Sequence, residues 1–585
     1  MRIKAGIKAN RLVIGTGLLF LFLSLGHIPV DIFPHAFDKN APVHFVLLMV
    51  ISIVYSAYIV IRRNRFELPL KVIGLIWFLV LAVLISTLRS PDLIGSLTGD
   101  SGRFTGAVSL FCLLIVAIYH SQFNLEQIHK LVQIFVTAIF IISVLGILQH
   151  HKVVELPGDV GVTGTLGNLD FFGAFVGTGF ALFVYILPTV PRKRQILFSL
   201  FIAVELYAVY LAGPLQSYVD IAIILIAVAV YKFRHHIPIY DLSLNAKTFF
   251  GSLAVIIWLE GIFLMPFIGS FIPVLGNDIQ VRIRGQFWLA ATRQFSSSPL
   301  TGVGPDQYGS FYEKYRTVLS VQENPTLLAN DAHAAPAQTL ATLGILGTLG
   351  FVFLLALLVR AFCILDQRDR HNRYKYAAIG LYLFVFTTNA AISPITLPHK
   401  YLFWALAGFI VGDAYRNSLV NLNLRYRIIS ASLIAAMIIP TTYVLVNFVP
   451  AQLKFLQANE KFVKDPTQKI DLQYNNFLPC LIYYPNMARI FNKQGEKELI
   501  IFTQDQIKGN PYCIDAWLNL AKVAYNQGDL PVMKEIIYKL IEIAPSRGEV
   551  INLAALYANK ANDKSLDDLV NKQLMKFNPG LIIVK

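Results

Sequence analysis

The sequence predicts an all-α protein: a polytopic helical membrane bundle followed by a helical soluble tail. Three observations predict it. Hydrophobic residues fill 55% of the 585 positions and charged residues only 15%, against about 25% charge in soluble domains. Runs of about 17–25 apolar residues, long enough to cross a bilayer, recur from Leu12 to Val449. From Ala451 onward those runs stop, and charges and amides take their place. A mean hydropathy of +0.58 and 12% aromatics exclude a disordered chain. Four cysteines in this length exclude a disulfide scaffold.

The membrane domain is predicted over 1–450, with about twelve to thirteen spans. They run over 12–30, 43–61, 70–88, 104–120, 128–148, 168–187, 196–212, 217–232, 248–268, 337–364, 374–393, 399–415 and 427–449. The runs at 104–120 and 196–212 are weak enough to be re-entrant. Arg2, Lys4, Lys8 and Arg11 precede the first run, but no small-x-small site follows it, so it reads as a span rather than a cleaved signal. Loop charges set the orientation. Arg62, Arg63 and Arg65, then Arg192, Lys193 and Arg194, Lys232 and Arg234, Arg368, Arg370 and Arg373, and Arg416, Arg425 and Arg427 mark every second loop. The intervening loops carry Asp31, Asp38, Asp92, Asp100, Glu155 and Asp159. The N-terminus is therefore expected in the cytoplasm of a cytoplasmic (inner) membrane. The long 269–336 loop and the tail are expected outside. The net charge of +15 is first a topology signal and needs no nucleic acid to explain it.

The tail is predicted as an extracytoplasmic helical domain over 451–585. Asp515 to Asp529, with Trp517, Leu520, Ala524 and Tyr525, looks like helix A of a tetratricopeptide repeat. Ile537, Leu540 and Pro545 fall where its second helix and its end belong. Gly528-Asp529 is the turn. One repeat cannot bury its own face, so 453–500 and 548–577 are expected to supply helical neighbours and to leave a surface for a protein partner. Cys480 and Cys513 stand as a disulfide or as two buried thiols; Cys112 and Cys363 read as small apolar residues in spans.

The loop of about 65 residues exceeds what a connector needs, and such loops are usually functional. It carries Arg282, Arg284, Trp288, Pro299-Leu300-Thr301-Gly302-Val303-Gly304-Pro305, Asp306, Tyr308, Tyr312, Asp331 and His333, and re-enters through Gln338, Gly344 and Gly347. Arg284-x-x-x-Trp288 followed after ten residues by Pro299–Pro305 resembles the loop segment of the O-antigen ligase/polymerase family. So does His333-x-x-x-x-Gln338-x-Leu340-Ala341-x-x-Gly344-Ile345-Leu346-Gly347. Gly164-Thr165-Leu166-Gly167-Asn168-Leu169-Asp170-Phe171 and Gly99-x-x-x-Arg103-x-x-Gly106 add two further matches in the family's order, over roughly 90–415. Three positions depart from it. Ala334 replaces the usual Asn, Thr342 replaces the usual Glu, and Ala212–Ser217 lacks the usual Ser-Arg pair.

The resemblance implies a GT-C-like membrane glycosyltransferase. Its donor is a glycan on a polyprenyl pyrophosphate, and its acceptor is a hydroxyl of a glycan, a lipid or a protein. His333 and Arg284 would be catalytic, with Arg282, Arg103, Asp331 and Gln338 binding substrate. The chemistry fits these residue types. A planar guanidinium pairs with two phosphate oxygens and keeps its charge. A sugar hydroxyl needs a general base, worth about 10²–10⁴ in rate, and histidine titrates in the right range. A pyrophosphate leaves without a strong acid, so an inverting displacement requires neither metal nor cofactor. The competing readings are a lipid-linked glycan transporter and a non-catalytic scaffold. Apart from Glu205 and Asp220 the spans hold few carboxylates, which argues against proton-coupled transport.

Plainer readings stand beside these. Trp288, Tyr308 and Tyr312 read as interfacial aromatics. Gly302 and Gly304 read as a turn, since no Gly-Lys-Ser/Thr follows. Asn168 and Asp170 read as helix-start residues, and His150-His151 and His235-His236 as solvated loop histidines.

Overall fold

The computed structural model describes residues 2–27, 40–61, 68–99, 102–156, 161–232, 243–268, 278–416, 424–465 and 480–577. Outside them lie Asp31, Asp38, Arg62, Arg63, Arg65, Asp100, Asp159, Arg234, His235, His236 and the first part of the 269–336 loop. Among the described residues the chain is helical, with no strand. The first helices are α1 (Arg2–Leu25), α2 (Ala41–Ile61), α3 (Leu70–Arg89), α4 (Leu93–Thr98), α5 (Ala107–His120), α6 (Leu125–His150) and α7 (Leu169–Ile186). There follow α8 (Arg192–Ala212), α9 (Leu215–Lys232), α10 (Leu244–Ile268), α11 (Ile279–Ser297), α12 (Tyr308–Tyr315) and α13 (Val318–Glu323). Then come α14 (Ala335–Arg368), α15 (Arg373–Ala390), α16 (Leu397–Tyr415) and α17 (Leu424–Lys464). The tail holds α18 (Cys480–Gln494), α19 (Glu496–Gly509), α20 (Ile514–Gln527), α21 (Leu530–Ile543), α22 (Gly548–Ala561) and α23 (Lys564–Phe577).

Eight helices among the described residues are long and apolar enough to cross a membrane: α2, α3, α6, α7, α8, α9, α14 and most of α17. Arg11–Leu25 and α5 are apolar but shorter. The 14 residues of α5 rise about 21 Å at about 1.5 Å each, short of a hydrocarbon core of about 30 Å. The other weak run became the full-length α8. The predicted runs 248–268, 374–393 and 399–415 fold as α10, α15 and α16. The architecture is that of an all-α polytopic protein.

The described chain forms two compact units, neither continuous in sequence. One holds 1–80, 108–262 and 349–442; the other holds 81–107, 263–348 and 443–585. In the first, small residues let helices approach. A Cβ on Gly408 would stand 2.1 Å from the Ala117 carbonyl, and one on Gly412 only 1.9 Å from that of Ser121, the close packing typical of membrane helices. Asn124 and Gln127 close a reciprocal cap on α6, and Asn168 accepts from the Asp170 and Phe171 amides to start α7. One buried polar network in this unit joins three helices. The Asn389 amide donates to Thr178 Oγ1 at 2.7 Å and to Asp220 Oδ2 at 2.8 Å, and accepts from Gln216 at 2.6 Å.

In the second unit the tail packs as antiparallel helix pairs. Helices α19 to α23 each have 14 residues. The predicted Gly528-Asp529 turn is present. Gly528 closes α20 with a φ of 72°, and Asp529 caps α21 by accepting from the Val532 amide. Leu518, Ala521, Met533, Ile536, Ile537, Leu540 and Ala554 form the core between the pairs. A disulfide joins Cys480 to Cys513, so α18 is tied to the start of α20. Cys112 and Cys363 are free.

Candidate functional site

Every candidate site residue lies in the second unit: Arg103, Arg282, Arg284, Asp331, His333 and Gln338. The site begins with a broken helix. At Gly344 the backbone of α14 leaves the helical region, with φ 62° and ψ −161°. The Pro299–Pro305 segment lies against that break. Val303 and Gly304 donate their amides to the carbonyls of Ala341 and Thr342 at 3.0 and 3.1 Å. Ile345 and Leu346 donate to the carbonyls of Pro299 and Leu300 at 2.9 and 3.3 Å. The groups freed by the break are thus satisfied by the loop. Glycine is required on both sides. A Cβ on Gly302 (φ +67°) would stand 2.2 Å from the Thr342 carbonyl carbon, and one on Gly344 would stand 2.6 Å from that of Leu300. Gly302 and Gly304 are therefore a turn, as their sequence predicts, and the glycines of two separate motifs serve one joint.

Just before α14 the chain makes a tight turn through Asp331, Ala332 and His333. The Asp331 carboxylate accepts the His333 amide at 2.6 Å. Gln338 reaches back from the first turn of α14 and accepts the Ala332 amide at 2.9 Å. His333 itself has φ 54°, a left-handed conformation in which His, Asn and Asp are enriched among non-glycine residues. Residues held in this region cluster at functional sites. Its ring Nδ1 lies 2.9 Å from the Asp331 carbonyl oxygen. A carbonyl only accepts, so Nδ1 carries the proton in the neutral ring, and Nε2 keeps its lone pair.

Charge surrounds this turn. Arg103 is 4% exposed and its guanidinium stands 3.7 Å from Asp331 Oδ2. Arg103 and Arg284 both act on His333 electrostatically. Burial, then Arg103, hold the imidazole down to about 4; Asp331 pulls the other way and Arg284 adds a smaller downward push. Phe287 covers the ring at a centroid distance of 5.2 Å. Arg282 is exposed and pairs with Glu323 at 3.9 Å. Of the six predicted residues, the structure joins Asp331, His333 and Gln338 in one turn and sets Arg103 against it, with Arg284 in electrostatic reach. Arg282 makes its ion pair on α13. The buried Nε2 of Gln338 has no hydrogen-bond partner among the described residues.

Aromatic side chains wall the turn from behind. Trp288, Tyr308 and Tyr312 are 1%, 0% and 1% exposed. They are core residues rather than interfacial aromatics, packed with Phe287, Ala332, Ala334 and Ala337. Tyr308 donates its hydroxyl to the Phe287 carbonyl at 2.9 Å. Phe287 gave no signal beyond being one aromatic in an amphipathic helix. Arg316 is buried, donating to the carbonyls of Ser320 and Asn324 at 3.0 and 2.8 Å, which makes it a structural cation. Among the described residues no cluster of His, Cys, Asp and Glu has the make-up of a metal site.

No protein-family model matches the chain, and no curated protein matches it.

Proposed function

We propose that the chain is a membrane glycosyltransferase of the O-antigen ligase/polymerase type. It transfers a glycan from a polyprenyl pyrophosphate to an acceptor hydroxyl at the outer face of a cytoplasmic membrane. The observation that carries this reading is the turn at His333. Its Nδ1–H is committed to the Asp331 carbonyl, which leaves Nε2 to accept a proton. Two arginines stand close enough to shift its titration.

In this reading Arg103 and Arg284 hold the pyrophosphate, and Asp331 orients both Arg103 and His333. Nε2 takes the proton of the acceptor hydroxyl as its oxygen bonds to the anomeric carbon. The bond from that carbon to the pyrophosphate oxygen breaks, the electron pair leaves with the pyrophosphate, and the anomeric configuration inverts. The arginines stabilise the negative charge that grows on the leaving group. The bound pyrophosphate in turn neutralises the two charges that depress the imidazole, so donor binding raises the basicity of His333. The tail is tetratricopeptide-like in this reading, extracytoplasmic, and a site for a protein partner. Its disulfide supports an oxidising compartment.

The test is glycan transfer from a defined polyprenyl-pyrophosphate donor in proteoliposomes. His333→Ala should lower turnover by about 10²–10⁴, the range lost with a general base, with donor affinity little changed. Full transfer by the variant overturns the reading. Loss of donor flux in Asp220→Asn with His333→Ala unaffected would favour the transporter instead, since Asp220 is buried in α9.

A further inference from the structure

The helix that walls the site has a second face, and that face meets the tail. Helix α12 buries Tyr308 and Tyr312, one turn apart, toward Phe287. Tyr308 donates to the Phe287 carbonyl at 2.9 Å, and Phe287 meets the Tyr312 ring edge-on at 5.7 Å. Phe287 in turn covers His333. From its other side α12 presents Phe311, Glu313 and Lys314 to the tail. Phe311 packs on Tyr512 with ring centroids 4.3 Å apart, and Lys314 stands 3.8 Å from Glu542.

At the centre of this face is Arg547, the residue before α22. Its three guanidinium nitrogens each meet a different carboxylate: Glu313 at 3.2 Å, Asp515 at 2.6 Å and Glu549 at 2.8 Å. Ser546, its neighbour, donates to the Glu313 carbonyl at 2.7 Å. Glu313 is 4% exposed, and its Oε2 has no hydrogen-bond partner among the described residues. Arg316 also acts on Glu313 electrostatically, but the ion pair is to Arg547; a buried carboxylate is costly to strand, so the seat of α12 follows Arg547. Only a guanidinium offers three donors in one plane.

We infer that Arg547 is a positioning residue. From the tail, it sets the seat of α12 and thereby the Phe287 lid over His333. It touches neither the turn nor the arginines of the site, and it acts through Glu313, Tyr308 and Phe287. The inference rests on the proposed transfer reaction for its catalytic consequence, but not for its structural one.

The test therefore has two readouts on the full-length protein in detergent or proteoliposomes. The first is hydrogen exchange of the amides in 283–290 and 327–338. Arg547→Ala and Glu313→Gln should each speed exchange in both segments, while Arg547→Lys, which keeps the charge without the fork, should fall between them and wild type. The second is transfer. Arg547→Ala should lower turnover roughly 10–100-fold, the scale of a site misplaced by about an ångström. Donor KM should stay within about twofold, and the acid limb of the pH profile should move up as the His333 ring gains water. If the wild-type protein transfers nothing, the transfer reading fails and exchange alone decides the coupling. Exchange in 327–338 unchanged by both Arg547→Ala and Glu313→Gln overturns the inference. So does faster exchange with unchanged turnover and pH profile. If Arg547→Ala does not fold, Glu313→Gln, which keeps the side-chain shape, carries both readouts.

Discussion

Arg103 and Asp331, from two distant stretches of the chain, stand 3.7 Å apart with both side chains almost fully buried. The same carboxylate holds the His333 amide through its other oxygen. One aspartate thus registers a candidate phosphate-binding cation against a candidate base, so a change to either partner should be felt by the other.

Arg103→Lys and Arg284→Lys should each weaken donor binding while leaving protein level intact. Lysine keeps the charge but loses the bidentate fork. A charge-assisted hydrogen bond is worth about 1.5–3 kcal/mol, so donor affinity should fall about tenfold or more. Binding of a fluorescent polyprenyl-pyrophosphate analogue to each variant measures it. Arg282→Lys serves as a comparison, since Arg282 is engaged with Glu323 on the surface. Equal, full affinity in all three would remove the clamp.

Titration offers a second check. The His333 imidazole is held down to about 4, below its unfolded value of about 6.5. The folded state therefore binds fewer protons between those values. The stabilisation from keeping this ring neutral is complete above about 6.5 and is lost as pH falls toward 4. For transfer, kcat/KM reports the free enzyme and kcat the complex. The acid limb should lie near 4 in kcat/KM and higher in kcat, because the donor's charge offsets the arginines. A single limb at the same pH in both would separate the donor from the histidine.

Backbone geometry yields a third expectation. Gly302→Ala places a methyl group on the Thr342 carbonyl in a left-handed backbone. Gly213→Ala meets the same backbone restriction at φ +81° with nothing within 4 Å. Strain of about 1–3 kcal/mol applies to both, but only Gly302→Ala also breaks the pairing with α14. Thermal unfolding in detergent should show a clearly larger drop for Gly302→Ala. Equal drops would mean the loop is not seated as described.

The disulfide supplies the fourth. Cys480 and Cys513 are 33 positions apart, and closing a loop of that size restricts the unfolded chain by about 3–4 kcal/mol in the entropic account. Cys480→Ser with Cys513→Ser should lower the tail's unfolding temperature, and reductant should do the same to wild type but not to the variant. Thiol labelling of the unreduced protein from intact cells should find neither cysteine free. Full labelling of both would place the tail in a reducing compartment and reverse the proposed topology.

Much of this architecture can be read from residue order, because its causes are local. Eight of the apolar runs become helices long enough for a bilayer. Asn168 announces a helix start, and Gly528-Asp529 announces a turn. The cluster of Asp331, His333 and Gln338 is also nearly local, spanning two turns of chain. What escapes is whatever depends on which distant surfaces meet. Tyr308 and Tyr312 carry the same letters whether they line a membrane interface or, as here, a core. Glu313 sits in a polar helix with nothing to mark it as buried. Arg547 resembles any solvent-exposed arginine of a helical repeat until its three carboxylates converge. No periodicity links them, so only the folded chain reveals the pairing.

The Arg547–Glu313 junction also changes how a deletion should be interpreted. Cutting the gene after the last apolar helix is the obvious way to ask whether the C-terminal region recruits other proteins. That cut would take Arg547 from Glu313 and the support from the helix that walls the histidine. A truncated strain lacking surface glycan would therefore look the same whether the lost region was a recruiter or a brace. Exchanging single residues on the exposed side of the tail, away from Arg547, separates the two; removing the region does not.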